Sequence, residues 1–148
     1  MFASKNNLDH LTFITDRNHI QIGGFTEEIM PLEPLAEKLG AFGFHVLSIN
    51  GHNFQEISNA LDFDLSIHRK PVWIIANTIP GKGVEYMEND YRWHGNPPGT
   101  LNTERTPPKE DQTEIALEEL HGKEAQERGD WYVQHLKLQP LHAQRKKT

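Results

Sequence analysis

The chain has 148 residues, no cysteine, 36% apolar residues and a formal net charge of -6. Without cysteine there is no disulfide framework, thiolate nucleophile or thiolate metal site, and without a basic stripe nucleic acid is excluded as a partner. No apolar run approaches the roughly 20 residues of a membrane span and no basic-then-apolar leader opens the chain, so a cytoplasmic protein with no membrane partner is expected.

Leu11 to Thr15 is short, apolar and β-branched, bounded by Asp16-Arg17-Asn18. It predicts a buried strand ending in a polar loop. Leu32, Leu35, Leu39 and Phe42 share one helical stripe, which predicts a helix over 31–42 with Pro31 and Pro34 in its first turn and Gly43 as the stop. Phe44 to Ile49 predicts a second strand. Asn53 followed by Glu56 resembles a capping box, opening a helix whose apolar face is Phe54, Ile57 and Leu61. Val72 to Ala76, in the stretch from Pro71 to Asn77, is a nearly continuous apolar run and the best strand candidate. A helix is expected from about Glu110 to Leu120, and a further one within Lys123 to Leu138.

Strands that are apolar throughout and alternate with helices predict an α/β protein, its parallel sheet covered by helices on both faces. Three strands make only a partial sheet. Apolar clusters stop near Trp93, so residues 1–95 form the expected core-bearing domain and residues 96–148 a polar linker with a helical tail. The closing Arg145-Lys146-Lys147 reads as a solvated tail.

Ligands of open parallel sheets collect at the carboxyl ends of the strands, and two loops stand out there. After the first strand, Asn18 and the backbone carbonyl two residues on, at Ile20, offer two neutral oxygens of the kind a hard cation such as Mg2+ accepts beside phosphate oxygens. The commoner reading of Asp-x-Asn after a strand is a turn whose side chains bond their own backbone. After the last strand, Gly81-Lys82-Gly83 permits close backbone approach to a phosphate, with Lys82 as counter-charge; an exposed connector is the plainer reading, and the spacing is not that of a Walker A loop. A third stretch, Met87 to Gly95, sets His94 between Trp93 and Gly95 in a loop, where an imidazole can touch an anion or move a proton.

Taken in order, these stretches resemble one family. Leu11 to Gly24, Thr26 to Leu35, Ala41 to Val46, Gly51-His52, Lys82-Gly83-Val84 and Met87-Glu88-Asn89-Asp90 through Trp93-His94-Gly95 look like successive segments of the N-terminal subunit of two-chain bacterial transketolases. The resemblance implies the C-terminal half of a thiamine diphosphate-binding domain. By position, Asn18 matches the magnesium-binding side chain, Ile20 the residue whose carbonyl completes the metal turn, and Ile22 an apolar residue packed on the cofactor rings. His94 matches the catalytic histidine near the cofactor diphosphate and sugar channel, and Gly81, Lys82 and Gly83 fall in a supporting loop. The implied cofactors are thiamine diphosphate and Mg2+, or another divalent cation such as Ca2+. The implied activity is transfer of a two-carbon ketol unit between sugar phosphates, in the manner of the pentose phosphate pathway.

Two departures qualify this. Gly23 stands where the family usually carries Asp. The Gly-Asp-Gly sequence whose Asp is the family's anionic metal ligand lies upstream of the Asn, and no such motif occurs here. A split subunit is therefore expected, inactive and weak in cofactor binding by itself. It would assemble as an oligomer with an upstream fragment carrying Gly-Asp-Gly and with a C-terminal transketolase subunit. The alternatives are a catalytically dead binding or assembly module, and another thiamine diphosphate enzyme of the deoxyxylulose phosphate synthase or dehydrogenase E1 type.

Overall fold

The computed structural model describes residues 1–66 and 70–122. In chain order its elements are α1 (Phe2–Lys5), β1 (Thr12–Arg17), β2 (Ile20–Gln21), β3 (Gly24–Phe25), α2 (Thr26–Ile29), α3 (Leu35–Ala41), β4 (His45–Asn50), α4 (Phe54–Ser66) and β5 (Val72–Asn77). A 3-10 turn over Tyr91–Trp93 and helix α5 (Gln112–Leu120) follow. Among the described residues the backbone divides into two compact units, Met1–Lys82 with Met87–Gly95, and Gly83–Tyr86 with residues 96–122. The helix expected within Lys123 to Leu138 lies outside the described residues.

In the first unit β1, β5 and β4 form a parallel sheet in that order. The crossover from β1 to β4 passes over β5, and the return from β4 to β5 runs the opposite way. Right-handed crossovers of opposite direction place α3 and α4 on opposite faces. This is the α/β arrangement expected from the apolar strands. On one face Ala60 of α4 packs on Val72 and Ile74, with Leu47 and Ile49 beside them. On the other, Phe13 stacks on Trp73 with centroids 4.6 Å apart, and Phe44 meets both rings edge-on. The Trp73 indole N–H donates to Thr15 Oγ1 at 2.8 Å, so the half-buried ring packs on the sheet without orphaning its donor.

Several expected boundaries move. β1 continues through Asp16 and Arg17, which had looked like loop, because Arg17 finds carboxylate and hydroxyl partners inside the fold. The helix expected from Pro31 begins only at Leu35, with Pro34 as its N-cap. Of its stripe only Leu39 is buried, and Leu32 and Phe42 stay largely exposed. Gly43 does end it: with φ +92 it lets its own N–H reach Gly40 O and the Phe44 N–H reach Leu39 O, a Schellman closure. Asn53 caps α4 by accepting from the Gln55 and Glu56 N–H groups, but Glu56 accepts in return from the Asn50 N–H and the Asn53 side-chain amide, while the Asn53 backbone N–H donates to Asn50 O. Phe54 and Leu61, expected on the apolar face, are exposed; small Ala60 makes the close approach instead. β1 and β4 are edge strands among the described residues, and Ile14 on β1 is 63% exposed.

The second unit is organised by a side chain that carries no apolar signal. Gln112, at the start of α5, is fully buried and donates to Leu101 O at 2.8 Å and Pro107 O at 3.0 Å while accepting from the Gly99 N–H at 2.7 Å. The Tyr86 hydroxyl donates to Gln112 O at 2.8 Å. Burial, and after it the Glu119 carboxylate, holds that hydroxyl above its ordinary pKa. Gln112→Leu leaves three backbone groups without partners, a loss of about 2–4 kcal/mol. Amide exchange protection over Gln112–Leu120 is expected to fall by about two orders of magnitude, and unchanged protection would show that the amide is not what holds this unit.

Candidate functional site

Parallel register brings Arg17, Asn77 and Asn50 into one row across the sheet. Asn18, Thr78 and Gly51 therefore leave the strands at the same level. Three ties hold their loops together. The Thr78 hydroxyl bonds Asp16 Oδ1 across the β1–β5 boundary. Asn77 Nδ2 donates to Ser48 Oγ at 3.0 Å and Ile49 O at 3.1 Å. His52 Nε2 accepts the Ile79 N–H at 2.8 Å. Gly51 lets the loops approach closely here: a Cβ would lie 2.5 Å from Thr78 Cγ2 and 3.1 Å from Asn77 O.

Asn18, Ile20 and Ile22 ride on a hairpin at the end of β1. β2 and β3 pair Ile20 with Phe25 and Gln21 with Gly24 around an Ile22-Gly23 turn. The Thr26 N–H donates to His19 O at 2.9 Å. Hydrogen-bonded and non-hydrogen-bonded pairs alternate along an antiparallel ladder, so the N–H and carbonyl of Ile20 point outward from the hairpin. Asn18 Oδ1 accepts the outward Ile20 N–H at 3.1 Å, the self-bonded turn that was the commoner reading of this sequence. The turn does not exhaust the oxygen, which has a second lone pair. The Asn18 oxygen and the Ile20 carbonyl thus share the outward side of the hairpin. Ile22 stands at the tip, an apolar side chain 82% exposed.

His94 closes the 3-10 turn, where its N–H donates to Tyr91 O at 3.0 Å and its side chain is exposed. The turn is built by Asp90, buried, which accepts from the Arg92 N–H and guanidinium. Tyr91 meets Phe25 edge-on at 5.8 Å, which brings the histidine-bearing turn against the hairpin of Asn18, Ile20 and Ile22. In the loop after β5, Lys82 Nζ is paired with Glu88 at 3.1 Å. Gly83 falls in the second unit.

Arg17, which the sequence places in the polar loop after the first strand with no role of its own, is buried. Its guanidinium is 3% exposed and donates to Thr26 Oγ1 at 2.9 Å, Glu27 Oε1 at 2.7 Å and Glu33 Oε1 at 3.1 Å. The one sequence signal is its parity: it shares the strand face of Phe13 and Thr15, which pack inward. The Leu35 N–H, opposed by burial and then aided by Arg17, holds the Glu33 carboxyl below its ordinary 4.5. A lowered carboxyl contributes stability above the unfolded-state value and loses it as pH falls through the folded-state value. Protection of the Leu35 amide is therefore expected to drop on acidification below the usual carboxylate range, and Glu33→Gln is expected to flatten that dependence; equal pH profiles for the two chains would count against it.

A hard cation carried on a diphosphate fits the oxygens on the outward side of the hairpin, both neutral and set at the carboxyl end of a parallel sheet. No group of three or more His, Asp or Glu side chains that could hold a metal occurs among the described residues. Gly23 is open, with nothing within 4 Å of where a Cβ would be. Gly23→Asp is expected to change stability by no more than about 0.5 kcal/mol, read as an unshifted unfolding midpoint.

A family model described as transketolase, thiamine diphosphate binding domain, matches residues 1–110. The chain is 49% identical over 94 residues to the 6-deoxy-6-sulfo-D-fructose transketolase subunit SqwG of Clostridium sp. (strain MSTE9), covering 64% of this chain and 34% of that protein. It is 35% identical over 118 residues to an apulose-4-phosphate transketolase subunit of Actinobacillus succinogenes, covering 80% of this chain and 39% of that one. The chain thus spans about a third of the length of the transketolase subunits it matches. Among solved structures, a transketolase from Campylobacter jejuni superposes with a TM-score of 0.57 at 25% identity, over 96% of this chain and 24% of that one.

Proposed function

Because this chain belongs to the transketolase family, within its thiamine diphosphate-binding domain, we propose that it supplies the metal-binding turn of a multi-chain transketolase. That enzyme moves a two-carbon ketol unit from a ketose phosphate to an aldose phosphate. The observation that carries the reading is the shared outward side of the Asn18 oxygen and the Ile20 carbonyl, held by the Ile20 N–H bond. These two oxygens bind Mg2+ alongside the cofactor diphosphate. Ile22 covers the cofactor rings, shedding water from an apolar tip. His94, exposed at the end of its turn, would meet the diphosphate and the sugar phosphate, where its imidazole could donate a hydrogen bond or carry a proton. Thiamine diphosphate, when bound, supplies the carbanion chemistry.

Charge sets the partner requirement. Two neutral oxygens leave a divalent cation without a protein carboxylate, and loss of one ligand weakens such sites severely. The anionic ligand comes from a Gly-Asp-Gly segment outside these 148 residues, and a C-terminal transketolase subunit grips the other end of the cofactor. Both similar proteins carry "transketolase subunit" in their names, which supports assembly with other chains. A cytoplasmic setting belongs to the same reading. No helix among the described residues is long and apolar enough to cross a membrane.

The test is reconstitution. The chain, combined with a segment bearing Gly-Asp-Gly and a C-terminal transketolase subunit, is supplied with thiamine diphosphate and Mg2+ and assayed for ketol transfer among phosphorylated ketoses and aldoses. Activity that needs every one of these components and both cofactors is expected. A reconstituted complex that retains the cofactor yet transfers nothing would favour the binding-module reading instead.

A further inference from the structure

We propose that Arg17 is a positioning residue for the metal turn, fixing the two oxygen ligands by locking a single peptide plane; the proposal rests on the reading of Asn18 and Ile20 given above. The plane is the one between His19 and Ile20. Its carbonyl end is held by Thr26, whose N–H donates to His19 O at 2.9 Å and whose hydroxyl reaches the same oxygen at 3.3 Å. Its N–H end is held by Asn18 Oδ1 at 3.1 Å. Arg17 Nη1 donates to the Thr26 hydroxyl at 2.9 Å, which leaves that hydroxyl's own hydrogen free to turn toward His19 O.

The arrangement governs both proposed ligands at once. Rotation of the His19–Ile20 peptide would release the Asn18 oxygen from its bond to the Ile20 N–H. It would also re-aim the Ile20 carbonyl, one peptide further on. His19 itself sits at φ +63, a region that side-chain-bearing residues enter at a cost and keep only where neighbours enforce it. The bonds at the two ends of its following peptide are that enforcement.

A merely structural filler would not need this chemistry. A buried guanidinium is costly to desolvate, and an apolar side chain of similar volume stabilises such a position as well or better. Arg17 instead spends its rigid fork on three different residues, Thr26, Glu27 and Glu33, all in the segment that leaves the hairpin. Lysine, a point charge without the fork, cannot hold the hydroxyl and both carboxylates together.

The experiment uses the assembled enzyme with Arg17→Lys, Thr26→Val and Asn18→Ala side by side. Thr26→Val removes the hydroxyl link alone and is nearly isosteric, so it remains informative if Arg17→Lys folds poorly. Two quantities are read: the Mg2+ concentration for half-maximal activity at saturating thiamine diphosphate, and amide exchange at Ile20 and Thr26 before cofactor is added. Both Arg17→Lys and Thr26→Val are expected to raise the Mg2+ requirement about tenfold, with little change in kcat at saturating metal, and to speed exchange at both amides. Faster exchange with an unchanged Mg2+ requirement, where Asn18→Ala does raise it, would make Arg17 a structural anchor and overturn the proposal. Unchanged exchange in both variants would overturn it too. An Mg2+ requirement that Asn18→Ala fails to move would instead remove the underlying reading, and the proposal with it.

Discussion

Asn18→Ala is expected to raise the Mg2+ concentration needed to retain thiamine diphosphate in the assembled enzyme by about 10- to 100-fold. The side chain supplies an oxygen to the cation and also holds the Ile20 N–H at 3.1 Å. Alanine removes a ligand and at the same time frees the peptide that aims the neighbouring carbonyl. Asn18→Asp separates the two effects. It keeps an acceptor for the Ile20 N–H and adds a negative charge, so it is expected to bind the cation at least as well as the native chain. The measurement is a metal titration of cofactor retention, by gel filtration with absorbance or by intrinsic fluorescence. A flat response to alanine would sink the metal assignment; weakening by both replacements equally would show that the amide donor, not the oxygen, was the essential group.

Gly81→Ala carries the second large effect, on stability. Gly81 holds φ +74, which costs an ordinary residue roughly 1–2 kcal/mol. A Cβ there would also lie 2.6 Å from Met87 O and 2.7 Å from Met87 C, backbone atoms that cannot rotate away as a side-chain tip can. Together these predict a loss of about 3 kcal/mol or more. The displaced stretch of chain runs from Met87 to the turn that presents His94, so catalytic turnover is expected to fall as well as the denaturant midpoint. A midpoint within about 0.5 kcal/mol of the native chain would mean the loop yields freely.

The readable parts of this chain are those set by local periodicity. Three strands and the helices between them follow from apolar runs and stripes, and Gly43 ends α3 because only a residue tolerant of φ +92 completes the closure there. Outcomes decided by distant partners were not readable. Arg17 looked like loop because Thr26, Glu27 and Glu33, which make its burial possible, lie beyond the hairpin. Phe54 and Leu61 have the spacing of a buried face, but spacing does not say how wide a sheet α4 covers. Gln112 has a polar name and a fully buried position, settled by backbone groups at Gly99, Leu101 and Pro107. At the candidate site the turn at Asn18 was visible as a motif. The tie from Arg17 through Thr26 to His19 was not, since each link joins residues of unremarkable local pattern.

The order of the strands also dictates the order of events in folding. β5 lies between β1 and β4 yet is the last of the three to be synthesised. Until it emerges neither earlier strand has a neighbour among the described residues to bond, and loop closure must be completed over a long separation before any ladder forms. A nascent chain ending before Val72 holds two apolar strands without the strand that joins them, the kind of intermediate that chaperones engage. Joining of β1 and β4 through β5 thus awaits the arrival of Val72–Asn77.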